Sequence, residues 1–419
     1  MGKDNVIVGI NIGSSNIRTV IAQDLPELEF PRVIGVGVVP SFGMRRGVII
    51  DADEVAKLVD ESGQKSERMA GSAFKEAVVG IAGTEISFQN SKGVVAVGKA
   101  DGEVMEGDIS RVINEAQFIN VPLNKEIIHI IPKTYRLDDQ QNIKDPIGMK
   151  GVRLEVDALI IEGSSAHIKN ITKCVNKADI EITELVLEPL ADAKAVLNKK
   201  QKELGVALVN IGGGTTSVCV FEESELIHAA ILPIGAGHVT NDLAIGLRTS
   251  IEVAEKIKLE YGSAIAKEIS KKEEIDLSQV DSQEIGFVSH HHIVEIIEAR
   301  LEEIFTLVNK ELKGIGKDGL LPAGIVLTGG GSKMPQIVDL AKQIIGLPTQ
   351  IGFPVNLGGM MDKVDDPSFS TVIGLIMWEK EQRDLSRGGF QGKKVLGNIS
   401  SGAEFSIKTL KRLLEKFLP

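Results

Sequence analysis

Asn11, Gly13, Ser14, Ser15 and Asn16 stand in NIGSSN, and Asn210, Gly212, Gly213, Gly214 and Thr215 stand in NIGGGTTS. These two stretches hold the residue types best suited to an anion. Glycine has no Cβ, so backbone amides can approach and point at a phosphate, and Thr215 adds a hydroxyl. Each stretch follows an apolar, β-branched run (VIVGI, GVALV) and precedes another (IRTVIA, VCVF), so each reads as a strand-turn-strand hairpin. A P-loop or dinucleotide-binding turn would open a helix instead. A third turn, Gly329, Gly330 and Gly331 in GIVLTGGG, follows another buried strand. Any one of these is compatible with a plain tight turn. All three together suit the phosphates and base of a nucleotide lying between two lobes. Both hairpins open on asparagine, where a phosphate-handling turn would more usefully place a carboxylate.

The elements that must position these turns follow from periodicity. Strands are expected near 6–10, 16–22 and 32–39, then a helix from about Asp53, where DADE supplies capping oxygens and first-turn acids. Residues 85–162 alternate strand-like EISF, GVVAVG, IIHIIPKTYRL and VRLEVDALII with the amphipathic DISRVINEAQFI, as an inserted α/β unit would. Helices over 165–178 and 190–203 flank the strand ITELVL, and helical patterns at 236–260 and 291–312 precede the strand at 324–331. Two similarly opened halves predict a duplicated, two-lobed α/β fold.

Composition narrows the function. With 43% hydrophobic and 25% charged residues the chain reads as a soluble globular protein, and its net charge of −11 argues against general nucleic-acid binding. Cys174 and Cys219 are the whole cysteine content, in apolar patterns that read as core, so a reducing compartment is expected. No signal peptide and no transmembrane helix are read. The HHH run at 290–292 invites a metal, but adjacent helical residues diverge by about 100°. A helix capped by Ser289 is the better reading, and no direct metal ligand is assigned.

From about Arg383 the pattern dissolves into glycine, serine and charge, as a linker does, before FSIKTLKRLLEKFLP at 405–419. On a helix, Ile407, Leu410, Leu413, Leu414, Phe417 and Leu418 gather within an arc of about 140°, opposite Lys408, Lys411 and Arg412. Four cations against Glu415 leave this segment at +3 on an acidic protein. An interfacial membrane helix fits that pattern, and a helix docked on the body is the competing reading.

The three turns resemble the phosphate and adenosine turns of the actin, DnaK and sugar-kinase superfamily. More narrowly, SFGMRRGVIID at 41–51, HIIPKTYRLDDQQNIKDPIGMKGVRLEV at 129–156 and PAGIVLTGGG at 322–331 resemble FtsA, the bacterial cell-division actin homologues, over nearly the whole chain. The resemblance implies an actin-like two-lobed fold with an inserted 1C subdomain and a C-terminal amphipathic helix. It divides the chain into 1A at 1–84 and 163–203, 1C at 85–162, 2A at 204–240 and 305–368, and 2B at 241–304. A return helix to 1A at 369–383, a linker at 384–404 and the membrane-targeting helix at 405–419 complete it.

It also implies ATP and Mg²⁺ as cofactors, with Glu255 and Lys258 of AEKIKLEYGSA near ribose and adenine. Glu188 matches a carboxylate that positions the attacking water, although an acid at a helix N-terminus before Pro189 is an equal reading. Asn11 and Asn210 stand where the superfamily carries acids, so at most a weak ATPase is expected. The implied partners are the C-terminal tail of FtsZ at 2B (with Arg300 as a candidate contact), further copies of the chain in a filament, anionic lipids and later division proteins. The implied location is the cytoplasmic face of the cell membrane at the division site. An MreB-like or PilM-like scaffold and a small-molecule kinase of the same superfamily are the alternatives.

Overall fold

The computed structural model describes residues 6–25, 29–118, 121–282 and 284–387. The linker beyond Arg387 and the amphipathic segment with Ile407, Lys408, Leu410, Lys411, Arg412, Leu413, Leu414, Phe417 and Leu418 lie outside the described residues.

Two sheets repeat one plan. In the first lobe Val6–Ile12, Asn16–Gln23 and Arg32–Pro40 form an antiparallel meander, and Glu76–Ile81 and then Glu181–Leu187 add in parallel on the side of the first strand. In the second lobe Val206–Ile211, Thr216–Glu222 and Glu225–Leu232 form the meander, with Ile325–Thr328 and Thr349–Ile351 added in parallel. The parallel additions place the ends of the central strands, and hence their turns, on one side of each sheet. Central strands buried on both faces need continuous apolar runs, which VIVGINI and VALVNI supply.

Residues 86–164 carry a separate four-stranded sheet, with the helix Glu106–Ala116 against it and a core of its own around Val112, Ile130, Leu154 and Ile160. The first lobe's helix Ala52–Ala70 packs so closely on its sheet that a Cβ on Gly37 would lie 1.9 Å from the Ser62 carbonyl oxygen. Asp51 caps that helix and Ser289 caps the long helix His290–Gly314, as their sequences predict. Both cysteines are buried and free.

Two expected helices are each broken. The pattern over 190–203 divides into Glu188–Val196 and Lys199–Leu204, because Leu197 turns extended and Asn198 starts a new helix with a reciprocal cap to Gln201. The pattern over 236–260 divides into Ala236–Leu247 and Ile251–Tyr261, with Arg248 left-handed at φ 54° and Ser250 capping the second piece. The return helix runs Ser370–Arg387, past the point where apolar periodicity ends. Among the described residues no helix is long and apolar enough to cross a membrane.

Candidate functional site

The three glycine turns meet in a cleft of about 1040 Å³ between the lobes. Asn11, Gly13, Ser14, Ser15, Asn16, Asn210, Gly212, Gly213, Gly214, Thr215, Gly329, Gly330 and Gly331 all line it, as do Glu188, Glu255 and Lys258. The glycines are needed for the approach of one turn to another. A Cβ on Gly213 would fall 1.9 Å from Ser15 Oγ, and one on Gly329, at φ 84°, would fall 2.1 Å from Asn210 Oδ1. Each hairpin closes on itself, Gly13 N–H to the Asn16 carbonyl at 3.1 Å and Gly212 N–H to the Thr215 carbonyl at 2.9 Å. Among the described residues the amides of Gly213 and Gly214 donate to no backbone acceptor.

The loop 41–47 covers the first hairpin. Ser41 N–H donates to the Ser15 carbonyl at 2.9 Å and Gly47 N–H to Ser14 Oγ at 3.1 Å. This brings Arg45 and Arg46 to the cleft wall.

At the cleft floor both asparagines donate to carboxylates of one helix, Glu188–Val196. Asn11 Nδ2 is 2.7 Å from Glu188 Oε1, and Asn210 Nδ2 is 2.7 Å from Asp192 Oδ2. Glu188 and Asp192 are one helical turn apart, so they share a face. Burial, with Asp192 nearby, pushes the Glu188 carboxyl up to about 8, against the opposing Asn11 bond. Burial raises Asp192 to about 6, opposed by its bonds from Asn210 and from Thr371 Oγ1 at 2.7 Å. An aspartate at 11 or 210 would face a second carboxylate at hydrogen-bond distance. That is a physical reason for asparagine at both positions.

Lys258 Nζ donates to Thr240 Oγ1 at 2.8 Å and to Glu255 Oε2 at 2.6 Å, so the two residues expected near ribose and adenine pair directly and also share Thr240, whose hydroxyl donates to Glu255. Arg300 lies away from the cleft, on His290–Gly314, where it makes a bidentate pair with Asp242 at 2.5 and 2.9 Å and a further bond to Glu303.

Sequence reasoning missed four cations and one acid of this site. Arg18 reaches the cleft from the second strand, its guanidinium 5.3 Å over the Phe369 ring, its Nε unpartnered among the described residues and its pKa drawn down by burial. Arg45 and Arg46 were visible only as part of a longer motif. Lys333 follows the third turn and pairs with Asp366 at 2.5 Å. Asp192 follows Glu188 by four residues, a spacing that could have nominated it.

Cationic side chains, hydroxyls of Ser14, Ser15 and Thr215, and unpaired turn amides form a donor set for a chain of phosphates. Neutral amides and a carboxyl facing the same space suit a hydrated Mg²⁺ more than a directly bound one.

A family profile described as "Cell division protein FtsA" matches residues 207–374, and one described as "SHS2 domain inserted in FTSA" matches residues 83–162. Cell division protein FtsA of Pseudomonas aeruginosa is 37% identical over 97% of this chain and 96% of its own length. This chain belongs to the FtsA family. The FtsA of Bacillus subtilis is 37% identical over 94% of this chain and 87% of its own, and that of Escherichia coli K12 is 31% identical over 94% and 95%. FtsA membership makes it a cell division protein, and its fold is actin-like. A PilM-PilN type IV pilus biogenesis complex superposes with a TM-score of 0.63 at 15% identity, covering 89% of this chain and 98% of that one. MreB5 of Spiroplasma citri bound to ADP superposes at 0.55 with 13% identity, covering 93% and 100%. These two share the fold. The FtsA relatives are close in sequence as well, which places the chain in that family and not with the PilM-like, MreB-like or kinase alternatives.

Proposed function

We propose that the cleft binds Mg-ATP and that the chain uses it as a clamp with slow turnover while tethering FtsZ filaments to the cytoplasmic face of the cell membrane at the division site. The observation that carries the clamp reading is the pair of asparagine amides, each on a carboxylate of the helix Glu188–Val196. With a pKa near 8, Glu188 is mostly protonated at neutral pH. A protonated carboxyl can orient a water but cannot accept its proton, so hydrolysis is slow. The three turns hold the phosphates, Glu255 and Lys258 lie toward the ribose and base, and Mg²⁺ is held through water and phosphate oxygens.

The tethering reading is supported by family membership and by the amphipathic pattern of 405–419. In it, 2B at 241–304 takes the C-terminal tail of FtsZ with Arg300 at or near the contact, the chain polymerises, and later division proteins join it. The linker places the helix on anionic lipid. One helix is a modest anchor, and repetition along a filament makes attachment strong.

Flotation of the full chain with vesicles containing anionic lipid, with and without Mg-ATP and an FtsZ tail peptide, tests this. Leu414→Glu puts a charge at the centre of the apolar arc and should abolish flotation while leaving ATP and peptide binding intact. Unchanged flotation, or loss of the folded body, would make the tail a docked helix and remove the tether.

A further inference from the structure

His129 sits in the inserted sheet, on Lys125–Leu137, and is buried at 2% exposure. Its Nε2 lies 3.0 Å from the backbone N–H of Leu187. A backbone N–H can only donate, so Nε2 accepts and the ring's proton is on Nδ1, which has no partner among the described residues. Protonating the ring would set N–H against N–H. Burial also opposes protonation and lowers the pKa to about 4. The ring is therefore a fixed neutral acceptor at neutral pH.

Leu187 ends the edge strand of the first lobe's sheet, and Glu188 begins the next helix. An edge strand has unpaired amides on its outer side, and a buried one needs a partner. Here the partner comes from a different sheet. His129 also packs against Trp378 of the return helix, ring centres 5.6 Å apart, and Trp378 Nε1 donates to the buried Glu184 at 3.2 Å. The return helix in turn presses on the carboxylate helix, where a Cβ on Gly374 would lie 1.9 Å from the Ala191 carbonyl oxygen. The peptide that launches Glu188 toward Asn11 is thus held on one side by Ile81 of the lobe's own sheet and on the other by the inserted unit.

We propose that His129 is a positioning residue through which the inserted subdomain fixes the strand end at Leu187, and with it the Glu188 carboxyl in the cleft. A partner that tilts the inserted sheet would then alter the cleft without touching it. This rests on the reading of the cleft as a nucleotide site only for its functional consequence.

The test compares the full chain with His129→Ala and His129→Gln, whose side-chain oxygen can replace the Nε2 acceptor. Amide hydrogen exchange across 183–190 should quicken roughly tenfold in His129→Ala and recover in His129→Gln. Mg-ATP affinity should fall several-fold and recover in parallel. Ring ¹⁵N shifts of wild-type His129 should report Nδ1 protonated and Nε2 bare at neutral pH. A protonated Nε2, or unchanged exchange in a folded His129→Ala protein, overturns the proposal. Faster exchange with unchanged nucleotide affinity overturns its link to the cleft. If wild-type protein bound no nucleotide, the clamp reading would fail, while the exchange and ¹⁵N measurements would still decide the role of His129.

Discussion

Asn11 and Asn210 open equivalent turns of the two lobes, and each presents its amide at 2.7 Å to a carboxylate of the same helix, but the carboxylates keep different company. Asp192 is fully buried and has both oxygens engaged, by Asn210 and Thr371. Glu188 lines the cleft, and its hydrogen bond is with Asn11. The second lobe's pair therefore behaves as a joint. It fastens the helix Glu188–Val196 to the second lobe's first strand and to the return helix. The first lobe's pair is open to whatever occupies the cleft. The two lobes supply equivalent asparagines to a single helix, and the deeper burial of Asp192 makes its contact structural while Glu188 stays available to chemistry.

The sharpest way to break this contrast is to remove each acid in turn. Asp192→Ala leaves the half-buried Asn210 amide and the buried Thr371 hydroxyl without their acceptor, at a cost of about 3 kcal/mol. Urea unfolding should show this loss, and a loss no larger than that of Glu188→Ala would mean the two pairs are equivalent.

The next effect is smaller and depends on pH. Asn210→Asp sets a carboxylate against Asp192 at hydrogen-bond distance, so one of the two must keep a proton. Stability should drop by about 2 kcal/mol at neutral pH and recover on acidification, as one proton comes to bridge the pair. Any gain in ATP turnover from the restored acid would come on this weakened scaffold. Equal stability at pH 5 and pH 8 relative to wild type would show that Asp192 can move away.

Much of the architecture was legible because it is local. A β-branched run, a glycine turn and a second run announce a hairpin wherever they occur, and the NIGSSN, NIGGGTTS and GIVLTGGG segments all sit in the cleft. Asp51 and Ser289 announced helix starts by side-chain chemistry alone. The breaks at Leu197 and Arg248 carry no proline or glycine, so periodicity ran through them. Asp192 and His129 were missed for another reason. Their partners are distant in sequence: Thr371 lies 179 residues from Asp192, and Leu187 lies 58 residues from His129. An acid in a helix or a lone histidine in a strand acquires its role only when the fold brings such partners together.

The smallest effect bears most directly on the open side of the comparison. Glu188 has a pKa raised from the ordinary 4.5 to about 8, so between those values the folded chain keeps a proton that the unfolded chain has released. Folding stability therefore falls as pH rises through that window and levels off above it. Glutamine at 188 can still accept from Asn11 but does not titrate. Glu188→Gln should match wild type near pH 5 and exceed it by about 1 kcal/mol near pH 8, an amount held down by the carboxyl's partial access to solvent in the cleft. Glu184, raised in the same direction, slopes both profiles alike and leaves their difference to Glu188. Superimposable profiles would mean that Glu188 is ionised at neutral pH like an ordinary glutamate. It could then serve as a base, and slow turnover would have to rest on the asparagines' missing charge alone.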